Sequence, residues 1–147
     1  MFRRILVPSD GTPLSHAAVQ AAVALARACG GSLVVFHALA SFRGGAYGTS
    51  EFAHEALFAA HHQQAKAEVD AIFTAAKAAA AAAGVPCECV AIEGDHPWEA
   101  IIAVAKRRRC DTICMASHGR RGLSGVLLGS ETQKVLTHAT LPVLVIR

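Results

Sequence analysis

Ile5-Leu6-Val7-Pro8-Ser9-Asp10-Gly11-Thr12-Pro13 is the stretch that decides how this chain is read. Three consecutive aliphatic residues with no polar alternation describe a short strand buried on both faces, and Pro8 stops it. Thr12 can cap a helix with Pro13 in its first turn, because its hydroxyl can accept from an early amide that lacks an intrahelical partner. Ala17, Ala18, Ala21, Ala22 and Leu25 carry that helix to a stop at Gly30-Gly31. A buried strand feeding a helix is the unit from which parallel sheets are built.

Further along, the unit recurs. Ser32 to Ala38 is a second continuous apolar strand, and residues 39 to about 50, with Gly44, Gly45 and Gly48, read as a flexible loop. An Ala-rich helix is expected from about Glu51 to Ala83, closed by Gly84 and Pro86. Cys87 to Glu93 alternates into a third strand, and Pro97 opens a helix ending near Arg109. Thr112 to Ala116 is the fourth strand, about Glu131 to His138 the last helix, and Leu141 to Arg147 the fifth strand. Such alternation predicts an α/β fold, an open five-stranded parallel sheet with helices on both faces. The strand order expected is 3-2-1-4-5, a Rossmann-like arrangement. The winding then reverses between strands 1 and 4, and ligands bind outside the carboxyl ends of strands at such a crevice. With no repeat, linker or shift in composition, residues 1–147 read as one domain.

Composition narrows the function classes. Hydrophobic residues make up 53% of the chain and aromatic ones 5%, which suits aliphatic packing of helices on a sheet and excludes disorder. The net charge is only +3. Its main cluster, Lys106-Arg107-Arg108-Arg109, stands where a helix C-terminus attracts cations, without the broad basic footprint of a nucleic-acid binder. No nucleic-acid partner is expected. Nor is a membrane one: Lys66, Glu68, Asp70 and Lys77 interrupt the Ala-rich segment, and no signal-peptide pattern follows Met1. Five cysteines without a disulfide-like pattern suit a reducing, cytoplasmic location, mainly as apolar filler. Cys87 and Cys89, two apart, belong on one face of their strand.

Two polar segments converge on the expected crevice. One is Pro8-Ser9-Asp10-Gly11 after strand 1; the other runs from Ser117 to Gly125 after strand 4 and on to Gly129-Ser130. Glycines let backbone amides approach an anion, and a helix start adds unpaired N–H groups and a positive dipole end. Asp10 would repel phosphate, but it can accept from ribose hydroxyls or a purine edge, or help hold a phosphate-bound Mg²⁺. The other reading is that Gly119, Gly122 and Gly125 shape a loop while Ser130 caps a helix. A Walker A loop is excluded, because glycine rather than lysine precedes Ser130; a dinucleotide fingerprint after strand 1 is absent as well.

Met115 to Gly122, Leu127 to Thr132 and Leu141 to Val145, together with Ile5 to Gly11, Phe36-His37-Ala38 and Asp95 to Ile101, resemble the nucleotide-binding branch of the universal stress protein family across nearly the whole chain. That branch carries Gly, two residues, Gly, nine residues, Gly, then Ser or Thr. Gly119, Gly129 and Ser130 are in register, while Ala116 stands where the first glycine belongs. The resemblance implies a site for ATP, or ADP or AMP, with or without Mg²⁺. Pro8, Ser9 and Asp10 would line the adenosine pocket, and the Ala38 backbone would read the adenine edge. Ala116 and Gly119 would border the ribose and phosphates, with Gly129, Ser130 and Glu131 donating to the phosphate chain, and Met115 would belong to the same nucleotide site. His118 either touches the ligand or caps and stacks; Arg120 either meets the terminal phosphate or points to solvent. The resemblance further implies a homodimer through the last strand, Val143 to Ile146, and a regulatory role in stress. The alternatives are a slow ATP hydrolase and a nucleotide-independent interaction protein.

Eight histidines invite a metal site, but His61-His62 are adjacent on a helix and form a poor chelating pair; no metal site is expected. No nucleophile elbow surrounds Ser124 or Ser130, so no catalytic residue is assigned. Trp98 reads as a packing or interface residue.

Overall fold

The computed structural model describes residues 1–41, 51–119 and 128–147. Strands β1 (Arg4–Pro8), β2 (Ser32–Leu39), β3 (Cys87–Glu93), β4 (Thr112–Ala116) and β5 (Val143–Ile146) alternate with helices α1 (Pro13–Cys29), α2 (Glu51–Ala82), α3 (Pro97–Arg107) and α4 (Ser130–His138). All the strands pair in parallel, in the order β3-β2-β1-β4-β5. The expected architecture and strand order are therefore both present. Residues 42–50 of the glycine-bearing loop, and 120–127, which include Arg120, Arg121, Gly122, Ser124 and Gly125, lie outside the described residues.

Successive side chains of a strand face opposite ways, and here each face has its own core. Ile5, Val7, Leu33, Val35, Cys114 and Ala116 pack with Ala18, Val19, Ala22 and Ala26 of α1 and Ala76 and Ala80 of α2. Leu6, Val34, Phe36, Ile113 and Met115 pack with Ile101, Val104 and Ala105 of α3 and Val135 of α4. Phe36, Ile5, Leu6, Leu33 and Ile113 are among the largest side chains completely removed from water. Burying each contributes about 1.5–3 kcal/mol relative to exposure. The first strand-helix unit forms as its sequence directs: Thr12 accepts from the Ser15 amide at 3.2 Å, and Gly30, at φ 62°, closes the helix.

Element ends differ slightly from expectation, for local reasons. The α3 helix stops at Arg107 rather than near Arg109, because Arg109 takes a left-handed φ of 54° and the Cys110 amide turns back to the Ala105 carbonyl at 2.8 Å. Strand β5 begins at Val143, not Leu141. Pro142 has no amide to donate, and only its carbonyl enters the ladder, accepting from Ile113 at 2.9 Å. Helix α4 starts at Ser130, so Gly129 and not Ser130 occupies the cap position. Part of the basic run is neutralised at the amino end of the sheet. There Glu88 holds Arg4 at 2.6 Å and Arg108 at 2.7 Å, while Asp111 accepts from the Arg3 and Arg4 amides.

Candidate functional site

At the carboxyl end of the sheet, where the winding reverses between β1 and β4, a cleft of about 760 Å³ opens. Pro8, Ser9, Asp10, Ala38, Met115, Ala116, His118, Gly119, Gly129, Ser130 and Glu131 all line it. Arg120, also anticipated at the site, lies outside the described residues, as do Gly122 and Gly125 of the same segment.

The β1 side is held by a chain of hydrogen bonds. The Ser9 amide donates to the Phe36 carbonyl at 2.8 Å, and the Ser9 carbonyl accepts from His37 Nδ1 at 2.7 Å, so both main-chain groups of Ser9 are tied to β2. Asp10 Oδ1 accepts from the Thr12 amide at 3.1 Å and from its hydroxyl at 2.6 Å. The carboxylate is thereby fixed by the residue that caps α1. Its other oxygen faces the β4 side: a Cβ on Gly119 would lie 2.9 Å from Asp10 Oδ2, well inside van der Waals contact. The glycine is what lets the two strand ends approach.

The β4 side ends in a helix start. The Gly129 amide donates to the Ser117 carbonyl at 2.7 Å, and Thr132 Oγ1 donates to the Ala116 carbonyl at 3.0 Å, which docks α4 on the strand end. Among the described residues no side chain caps α4, and its first intrahelical bond runs from the Gln133 amide to the Gly129 carbonyl. The amides of Ser130, Glu131 and Thr132 thus have no intrahelical acceptor, at the positive end of the helix dipole. The Glu131 carboxylate would oppose an anion there, but both its oxygens are engaged. Oε2 accepts from the Trp98 amide in the first turn of α3, and Oε1 pairs with Lys134, each at 2.9 Å. Ser117 Oγ and His118 Nδ1 lie 2.9 Å apart. The Ala116 methyl joins the core under α1 while the residue still borders the cleft, which gives the departure from glycine a packing role.

Sequence reasoning missed Gly94, Asp95, Pro97 and Ile101 as cleft residues, and Phe36, His37 and Thr132 as well. The turn Gly94-Asp95, anchored by the Gly94 amide on the Leu39 carbonyl at 3.0 Å, follows a strand just as Ser9-Asp10 does; that parallel was the available signal. Trp98 packs as anticipated, its ring 4.6 Å from that of His138. Among the described residues, no three His, Cys, Asp or Glu side chains gather closely enough to hold a metal ion. No helix among them is long and apolar enough to cross a membrane.

The sequence model of the universal stress protein family matches residues 1–147. The chain belongs to the universal stress protein family. It is 33% identical to the Thermus aquaticus universal stress protein in the QAH/OAS sulfhydrylase 3′ region, and 32% identical to the Bacillus subtilis universal stress protein YxiE, with all of both chains covered in each case. Its fold is similar to that of the universal stress protein UspA from Lactobacillus plantarum (TM-score 0.79, 26% identity, 99% of this chain and 98% of that one). Two more distant members share the fold and are described as complexes. One holds cAMP (TM-score 0.70, 23% identity, 99% of this chain and 96% of that one). The other, from Archaeoglobus fulgidus, holds dAMP (TM-score 0.70, 20% identity, 98% and 97%).

Proposed function

We propose that this universal stress protein binds an adenine nucleotide, ATP or its di- or monophosphate, in the cleft between the ends of β1 and β4. One observation carries the reading. An acceptor carboxylate, Asp10, and an uncapped helix start at Ser130 line the same 760 Å³ cleft, with Gly119 between the strand ends. The two features want opposite ligand chemistry. A carboxylate takes hydroxyl donors such as those of a ribose, and free helix amides take an anion such as a phosphate chain. A nucleotide offers both at a fixed separation. Its base then lies toward Ala38, near the apolar Met115 and Ile101, and the Ser130 hydroxyl adds a donor to the phosphates. Mg²⁺ bridging the phosphates would offset their charge beside Asp10. The complexes of family members with cAMP and dAMP fit this assignment.

In this reading the protein is a cytoplasmic regulatory module whose occupancy is the signal. It pairs with a second copy through β5, an edge strand on which Leu144 is 39% exposed, and edge strands of this kind need covering. Calorimetry and thermal shift of nucleotide-free protein with Mg²⁺-ATP test the assignment. A ligand that binds only the folded state adds about 2.7 kcal/mol of stability at a hundred times its Kd. Absence of both heat and thermal shift at millimolar nucleotide rejects it.

A further inference from the structure

The edge strand β3 carries two thiols that the cleft does not use. Cys87 and Cys89 stand two positions apart, so both point to the same face of the strand, and both pack against the core covered by α1 and α2. Their partners on β2, Leu33 and Val35, are equally spaced, so the ladder runs past both cysteines without a bulge. Neither thiol is fully buried, because β3 has a neighbouring strand on one side only. Neither belongs to the cleft wall.

The two sulfurs meet. Cys89 donates its S–H to the Cys87 sulfur, and the Lys77 ammonium on α2 adds a positive charge beside them. The Cys87 sulfur also lies 3.9 Å from the Glu88 carbonyl, at the outer limit of a contact to sulfur. Once Cys87 ionises, the two sulfurs share one proton, and a soft cation can take that proton's place.

Distances separate the two things such a pair can do. A strand advances about 3.3 Å per residue, so the two Cβ atoms stand roughly 6.6 Å apart. A disulfide needs about 3.5–4.5 Å between them, and β3 would have to buckle to form one. A metal ion in line between two sulfurs spans twice a bond of about 2.3 Å, roughly 4.6 Å, which side chains leaning toward each other reach. Among the described residues no third His, Cys, Asp or Glu joins the pair to build a zinc site.

We infer that Cys87 and Cys89 form a two-coordinate site for a soft monovalent cation, copper(I). Both ligate as thiolates, and the shared proton leaves to solvent. No electron changes hands: one thiolate, one thiol and Cu⁺ give a bis-thiolate complex with one net negative charge and one released H⁺. Lys77 offsets that charge.

The test uses full-length protein, reduced and metal-free, titrated without oxygen against copper(I) held by a coloured chelator, bathocuproine disulfonate. One equivalent of copper is expected to leave the chelator. Cys87→Ser and Cys89→Ser should each bind it about 100-fold or more weakly, a larger loss than an outer-shell partner causes, while Cys29→Ser at the end of α1 changes nothing. X-ray absorption of the copper-loaded wild type should show two sulfur neighbours, and it decides the matter even if a serine variant fails to fold. Copper left with the chelator, unchanged binding in either serine variant, three or more sulfurs around the metal, or a native Cys87–Cys89 disulfide after diamide treatment each overturns the proposal. The nucleotide cleft plays no part in these outcomes.

Discussion

Gly119→Ala asks whether the cleft works through the close approach of its two strand ends. The added Cβ would lie 2.9 Å from Asp10 Oδ2, whereas ordinary contact begins at 3.4 Å, so the carboxylate or the loop must yield by about half an ångström. The carboxylate is not loose: its other oxygen is held by the Thr12 amide and hydroxyl, and Thr12 in turn caps α1. Weakening those bonds at a half-exposed side chain costs about 0.5–1.5 kcal/mol of stability, a fall in Tm of roughly 2–5 °C. The effect on ligand is larger. If Asp10 holds the ribose through charge-assisted hydrogen bonds, displacing it forfeits about 1.5–3 kcal/mol, which is roughly 10- to 150-fold in Kd. Calorimetry with Mg²⁺-ATP on wild type, Gly119→Ala, Asp10→Ala and the double variant completes a cycle. Removing the carboxylate also removes the clash, so the double variant should bind no worse than Asp10→Ala alone. Affinity losses that add, or a Gly119→Ala protein that binds as wild type does, refute the reasoning.

Three further outcomes follow from other contacts. Thr132→Val deletes the hydroxyl that docks α4 on the buried Ala116 carbonyl, and denaturant unfolding should register a loss of about 1–2 kcal/mol. Burial pushes the Asp111 carboxyl up, but the amides of Arg3 and Arg4 and the Thr112 hydroxyl outweigh it and hold the group below its ordinary value. Its contribution is therefore present above the unfolded pKa and lost as pH falls through the folded one. Urea midpoints of wild type and Asp111→Asn should converge well below pH 4 and diverge at neutral pH. The Cys87 thiol is drawn down to about 7 by the hydrogen bond from Cys89, against burial and with help from Lys77. Its alkylation by iodoacetamide should therefore outpace that of buried Cys110 and Cys114, which burial pushes up to about 11, and Cys89→Ala should slow it at pH 7.

The fold was legible because every β-strand except β3 is a short, largely apolar run and α1, α2 and α3 each have a stop or start that local chemistry enforces. Thr12-Pro13, Gly30 and Gly84-Val85-Pro86 are instances. Ends governed by tertiary contact were less so. Nothing in the run Lys106 to Arg109 announces that arginine takes the left-handed position ending α3, and the start of β5 depends on which carbonyl β4 presents an amide to. At the site, glycines and the acidic residue after β1 could be read because their chemistry is local. His37 could not: in the sequence it is one polar residue in an apolar strand. Its significance comes from a hydrogen bond to Ser9, 28 positions away. Gly94, Asp95 and Ile101 reach the cleft only through the sheet order, which places the end of β3 within range of β1.

Glu131 touches two helices at once, lending its amide to the cleft while its carboxylate grips the amide of Trp98. Trp98 is the sole tryptophan of the chain, and it rests against His138 at the far end of that same short helix α4. Any tilt of α4 must slide the indole along the imidazole, so the molecule carries its own optical gauge. Intrinsic emission gives a label-free readout of whatever settles at the head of that helix.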